Sequence, residues 1–234
     1  MPTSRAEYAA ALAALPREQW PGYLTAHSNL PGPRGNLTLL DAAADTLTRD
    51  AALALAASED EYLACCGVAT LGRLVLETPD DRGLVDLLTR SCADERWRVR
   101  EACAIAAQRI GDADPARLRE LVAAWVDAPD PLVVRAGIAA ICEPRLLSDP
   151  ETAAAALTAC RGATEHLLAT PAARRRDPDV RTLRQGLGYC WSVAVAGSPE
   201  SGLPAFLTLD AGDPDVAWVV RENRKKQRLA RLLG

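Results

Sequence analysis

The chain of 234 residues is long enough to bury a large hydrophobic core, as one or two domains. Hydrophobic residues make up 49% of it and aromatic residues only 4%, so the apolar content is mostly Ala, Leu and Val, which is typical of closely packed helices. The net charge is −4, with −5 on residues 1–90 and +1 on residues 91–234, which argues against a protein built mainly to bind polyanions.

The first 57 residues predict short helices around one strong break. Residues 5–15 form an amphipathic helix that ends at Pro16, and residues 18–27 are a second candidate. Residues 28–36 are rich in Pro, Gly and Asn, which favours a turn. Asn36 is placed to cap a further helix that runs to about Thr48.

From Ser58 the pattern becomes regular, and most helices begin at an Asp or an Asp-Pro pair. Apolar residues recur at helical spacing, as in Val99, Cys103, Ala106 and Ile110, where Asp94 is the expected N-cap and Gly111 the expected stop. Five helices are predicted with both ends, at residues 81–93, 94–111, 115–126, 150–168 and 199–209. Four more are predicted by their starts alone, after Asp60 and at Asp130, Asp177 and Asp213.

A repeat underlies this regularity. Residues 97–101 read Trp-Arg-Val-Arg-Glu, and residues 218–222 read Trp-Val-Val-Arg-Glu. The equivalent positions are Tyr62, Trp97, Leu132, Arg181 and Trp218, at intervals of 35, 35, 49 and 37 residues. The interval of 49 is longer than the others, and residues 170–178, a break between helices, are predicted to be an insertion there. Two helices per unit at this period are the mark of an α-solenoid, whose charged last copy acts as a cap.

The openings of these units resemble the HEAT repeat family. The matching stretches are Asp130-Pro-Leu-Val-Val-Arg135, Asp177-Pro-Asp-Val-Arg181 and Asp213-Pro-Asp-Val216. The resemblance implies an all-α fold, a right-handed α-solenoid of about five to six HEAT-like helix pairs. It also implies one domain over residues 1–234, with divergent N-terminal helices in 1–57, regular repeats in 58–234 and a capping last helix.

An arginine row is the main candidate site. Three places beyond the aligned positions stand Cys65, Arg100, Arg135, Arg184 and Arg221. In HEAT repeats, which these units resemble, such arginines tie neighbouring units together through Asp partners. The alternative is a basic stripe on the concave face that binds phosphates or carboxylates. Arg174, Arg175 and Arg176 likewise favour either a solvated loop or a contact for an acidic partner.

The two tryptophans of the repeat have two interpretations. Each could be a packing wedge or an exposed stacking surface, and Trp97 with Glu101, like Trp218 with Glu222, stands at i, i+4. A more distant similarity to DNA alkylation repeat glycosylases implies a DNA-binding or DNA-repair role as the alternative function. The candidate concave-face residues are Trp97, Arg100, Glu101, Arg135, Arg184, Trp218, Arg221 and Glu222.

No motif for catalysis, cofactor binding or metal binding stands out. His27 and His166 lack a Cys or second His at ligand spacing, and the seven cysteines form no C-x-x-C pair, as expected of reduced core thiols in a cytoplasmic protein. No apolar run approaches the ~20 residues that span a bilayer. We therefore expect a non-catalytic scaffold without cofactor or metal, which binds another protein or an acidic ligand and no membrane; nucleic acid is the alternative partner.

Overall fold

The computed structural model describes residues 4–234 and is all-helical there, which confirms the predicted fold class. None of the helices in this range has the length and hydropathy to span a bilayer. The helices are α1 (Arg5–Ala14), α2 (Trp20–Ala26), α3 (Leu37–Thr46), α4 (Arg49–Ala56), α5 (Glu61–Glu77), α6 (Arg82–Ser91), α7 (Trp97–Ala113), α8 (Pro115–Val126), α9 (Pro131–Ile141), α10 (Pro150–Ala169), α11 (Pro178–Gly197), α12 (Pro199–Leu207), α13 (Pro214–Arg224) and α14 (Gln227–Leu233).

The chain divides into two compact units, Met1–Ile110 and Gly111–Gly234, and the boundary falls within α7. In the first unit α5 is central and packs against α2, α3, α4 and α6. In the second unit α11 is central and packs against α9, α10, α12, α13 and α14. Neighbouring helices thus pack side by side within each unit, as the helix pairs of a solenoid must. One domain over all 234 residues stays a prediction.

Small residues let these helices approach closely. A Cβ on Gly67 of α5 would collide with the backbone of Ala56 in α4, and a Cβ on Gly72 would collide with the backbone of Ala106 in α7. The interior therefore packs backbone against backbone at these points, which a chain rich in Ala and poor in aromatics makes feasible.

Aspartate is the N-cap residue of seven described helices, because a carboxylate can accept from the unpaired N–H groups of the first turn. Asp213 accepts from the backbone N–H of Asp215 at 2.9 Å and of Val216 at 3.2 Å. Asp177 departs from this pattern, since it makes no side-chain cap bond. Its carboxylate instead accepts from Nε of Arg174 at 3.1 Å.

The structure differs from the sequence prediction at both ends of α7. The helix begins at Trp97, so Asp94 is not its N-cap; the Asp94 carboxylate accepts from the backbone N–H of Arg96 at 2.8 Å. Gly111 does not end the helix, which continues to Ala113. The reason for glycine there is packing, because a Cβ would lie 2.5 Å from Cδ2 of Leu118.

Two further helices were not predicted. Helix α4 begins after Thr48, a residue type common at helix starts, although its side chain makes no cap bond here. The last predicted helix ends at Arg224, and α14 follows after Lys225 and Lys226. All seven cysteines are buried thiols, which confirms the core positions that the sequence predicts for them.

Candidate functional site

The eight predicted site residues fall in both units. Trp97, Arg100 and Glu101 belong to the first unit, and the other five belong to the second. Within the first unit Trp97 and Glu101 line one cavity of 460 Å³, and Trp97 is 51% exposed. Trp97 is thus an exposed aromatic surface and not a packing wedge.

Arg100 and Arg135 are half-buried and serve packing and capping. Nη1 of Arg100 donates to the carbonyl oxygens of Asp94 at 2.6 Å and Glu95 at 3.0 Å, so the guanidinium holds the loop before α7. The stem of Arg135 lies against α11, where its Cγ would be 3.2 Å from a Cβ on Gly186. Both side chains contribute to the packing of their own unit.

Arg184 and Trp218 join α11 to α13. The Arg184 guanidinium lies over the Trp218 ring, 4.8 Å from its centroid, and Nη1 donates to Oδ1 of Asp215 at 2.6 Å. The Trp218 ring and Glu222 pack over Gly188, since a Cβ there would be 2.7 Å from Cζ3 of Trp218. The contact combines a cation–π interaction with a partly buried ion pair.

Arg221 and Glu222 face solvent to different degrees. Arg221 is exposed and Glu222 is half-buried. The Glu222 carboxylate accepts from Nζ of Lys225 at 2.6 Å, and this hydrogen bond lowers the pKa of Glu222 below its usual value. Among the four row arginines, therefore, Arg100 and Arg184 have specific partners and Arg221 lies open.

A different group of arginines forms a cleft in the second unit. The insertion at residues 170–178 folds beside α11 and the start of α13, and encloses a cleft of 670 Å³ that we name the arginine cleft. Four arginines and two aspartates line it, so the net charge of the lining is +2. Its lining consists of Ala172, Arg175, Arg176, Arg181, Arg184, Asp213, Pro214 and Asp215.

Arg175 is the structural arginine of this cleft. It donates from Nε to the Thr170 carbonyl at 3.1 Å and from Nη2 to the Leu168 carbonyl at 2.9 Å, and it pairs with Asp213. Burial acts to raise the pKa of Asp213, but the Arg175 hydrogen bond and two backbone N–H groups outweigh it and leave that pKa below its usual value. Arg175 therefore fixes the loop onto the start of α13.

Arg176 and Arg181 are the available cations at the rim. Both side chains are exposed, and within residues 4–234 neither guanidinium makes a hydrogen bond or ion pair. Deeper in the lining, Nε of Arg184 is buried and has no hydrogen-bond partner among the described residues. Guanidinium groups bind carboxylates and phosphates through paired N–H donors, so the cleft suits an anionic group.

Sequence reasoning named Arg184 and the run Arg174–Arg176 as separate candidates, but it did not bring them into one cleft with Arg181 and Asp215. Arg181 was an aligned position, Asp215 belonged to an Asp-Pro-Asp motif, and Arg175 lay in a charge run with two interpretations. The three meet only because the insertion folds back against α13, which local periodicity does not predict. No group of three or more metal-ligating side chains occurs within the described part of the chain.

Comparison with known proteins identifies no family. No family model matches the chain, and no curated protein matches it. One solved structure, the crystal structure of an engineered protein, aligns over 97% of both chains with 15% identity and a TM-score of 0.39. A similarity at that level carries no argument about fold or function.

Proposed function

We propose that the protein is a non-catalytic HEAT-like scaffold whose arginine cleft binds an acidic segment of another protein. The observation that carries this proposal is the pairing state of the cleft arginines. Arg175 is committed to the fold, while Arg176 and Arg181 stand exposed at the rim without partners among the described residues. An acidic segment would supply the acceptors that these two groups lack.

A binding role suits the cleft better than catalysis. Its two carboxylates, Asp213 and Asp215, are held in ion pairs with Arg175, and Asp215 also pairs with Arg184. Neither is placed as a free general base. The buried thiols, including Cys65 whose pKa burial raises to about 12, fit a reducing compartment, and we propose the cytoplasm.

The DNA-repair alternative receives less support from the geometry. It requires Arg100, Arg135, Arg184 and Arg221 to be open to phosphates. Arg100 caps carbonyl groups and Arg184 is stacked and paired. The chain also has a net charge of −4, which opposes a long polyanion.

The test is a titration of fluorescein-labelled hexaglutamate followed by anisotropy. The wild-type chain is compared with an Arg176→Glu, Arg181→Glu double variant and with a control of equal charge change, Arg224→Glu, Arg231→Glu. Both control positions are exposed and lie in the same unit. We expect binding that weakens with salt and that falls at least about tenfold in the cleft variant only, a change of ~1.4 kcal/mol.

Two outcomes would overturn the proposal. One is that hexaglutamate fails to bind at low ionic strength. The other is that the cleft variant and the control lose affinity equally, since binding would then report only net charge. Thermal unfolding of all three proteins establishes that they are folded to the same extent.

A further inference from the structure

A second cleft, in the first unit, combines apolar walls with one available cation. This cleft of 460 Å³, which we name the Trp97 cleft, lies among the loop at residues 29–36, the start of α3, α5 and the first half of α7. Leu37 is 61% exposed and Trp97 is 51% exposed, and both line it. Among the described residues of the first unit they are the two large hydrophobic side chains left exposed. Both side chains line the same cavity, and exposed apolar groups that cluster in this way indicate a binding surface.

The floor of the Trp97 cleft offers a ligand no polar group. Leu40, Tyr62 and Ala102 are buried there. The Tyr62 hydroxyl donates to the Asn36 carbonyl at 2.6 Å. The Asn36 amide donates in turn to the Tyr8 hydroxyl at 2.9 Å and the His27 carbonyl at 3.0 Å. Because these groups are already satisfied, the part of a ligand that enters the cleft must be apolar.

The charged groups of the lining are Arg34, Arg98 and Glu101, so that the balance is positive by one. Arg98 is committed, since it donates from Nη1 to Oε2 of Glu61 at 2.8 Å and stacks over the Trp97 ring at 4.6 Å. Arg34 is exposed and makes no side-chain hydrogen bond or ion pair within the described range. The cation available to a ligand is therefore at Arg34.

We propose that the Trp97 cleft binds a small organic acid with an apolar aliphatic or aromatic body. The body packs on Leu37, Trp97 and the buried floor, and the acid group pairs with Arg34. The volume of 460 Å³ is in the range of small-molecule sites, about 300 to 1,000 Å³, which are mostly apolar with a few polar groups that fix orientation. This site is independent of the arginine cleft.

The probes are 1-anilinonaphthalene-8-sulfonate, an aromatic body with one acid group, and decanoate below its micelle-forming concentration. Fluorescence enhancement of the sulfonate reports binding, and decanoate is added as a competitor. Decyltrimethylammonium, with the same chain and the opposite charge, is the ligand control. The variants are Trp97→Ala and Arg34→Glu. Their matched controls are Leu207→Ala and Arg82→Glu, which alter exposed residues outside the cleft.

We expect a single site from which decanoate displaces the sulfonate and decyltrimethylammonium does not. Trp97→Ala and Arg34→Glu should each weaken binding about tenfold, equivalent to ~1.4 kcal/mol, while the controls keep wild-type affinity. The proposal is overturned if the cleft variants bind as the wild type does, or if the cationic ligand competes as well as decanoate. It is also overturned if sedimentation equilibrium shows a dimer that Trp97→Ala abolishes, because a second copy would then cover the cleft.

Discussion

The guanidinium of Arg184 stacks on the ring of Trp218 at 4.8 Å, and this contact ties α11 to α13. At the equivalent repeat position the ring of Trp97 is 51% exposed, at the mouth of a cavity. An arginine stacks on each of the two rings, but only the Trp218 ring is also shown to pack over a glycine of a neighbouring helix, Gly188.

This difference predicts unequal costs for the same substitution. Trp218→Ala removes the stack on Arg184 and leaves a gap over Gly188, and should lower the free energy of unfolding by about 2 kcal/mol or more. Trp97→Ala removes a half-exposed ring and its stack on Arg98, and should cost less than about 1 kcal/mol. Urea denaturation measures both values. Equal losses would contradict the packing assigned to Trp218.

A buried amide in α13 carries a second prediction. The Asn223 side chain accepts from the backbone N–H of Ser192 at 2.8 Å and donates to the Leu187 and Val219 carbonyls at 2.8 Å. Asn223→Leu removes these three buried hydrogen bonds between α13 and α11 and within α13, and should lower the free energy of unfolding by about 1–3 kcal/mol, as measured by urea denaturation. Arg224→Ala, at the exposed neighbouring position, is the control and should change the urea midpoint little.

Two glycines test how closely the helices approach. Gly72 faces the backbone of Ala106, so Gly72→Ala must push α5 away from α7 and should destabilise the protein by about 1–3 kcal/mol. A Cβ on Gly22 in α2 meets nothing within 4 Å, so Gly22→Ala should stabilise it by about 0.5–1 kcal/mol through helix propensity. Thermal unfolding should shift in opposite directions, and a shared sign would refute this account.

The elements of the fold followed from local chemistry, but the sites did not. Asp130, with Pro131 after it, predicts a helix start because capping is a property of adjacent residues, and the structure has one there. Gly111 looked like a stop and is a packing glycine, because the side chain that needs its space, Leu118, comes from another helix. What a glycine does depends on such a neighbour, which one sequence does not display.

The candidate sites were hidden for a related reason. The alignment placed Tyr62 and Trp97 in one class, although Tyr62 is 3% exposed and Trp97 51%. Leu37 and Arg34 lie in a segment predicted only as a break and a helix start, and they gain a role because α7 lies beside them. The position of a residue in the repeat thus predicted the helix to which it belongs. Whether its side chain is exposed depends on tertiary packing, which the repeat does not predict.

Acid should weaken the attachment of the insertion to α13. The pKa of Asp213 is below its usual value in the folded chain, so the stability it provides is complete above the unfolded pKa of about 3.9. It is lost as the pH falls through the lower folded value. The difference in unfolding free energy between the wild type and Asp213→Asn should therefore shrink between neutral pH and about pH 3. The control is Asp86→Asn, which alters an exposed carboxylate. Its free energy of unfolding, measured by urea denaturation at each pH, should change with pH as that of the wild type does.

Duplex DNA separates the scaffold from the repair alternative. If the arginine cleft alone met phosphates, its surplus of two positive charges would give a slope of log affinity against log salt near −2, at about −0.9 per phosphate. A row of four open arginines would give about −3.6. Because Arg100 and Arg184 are engaged within their own units, we expect labelled duplex to bind weakly, with a slope no steeper than about −2. Micromolar affinity with a slope steeper than about −3, lost in a folded Arg100→Ala, Arg135→Ala variant, would favour the repair alternative over the scaffold.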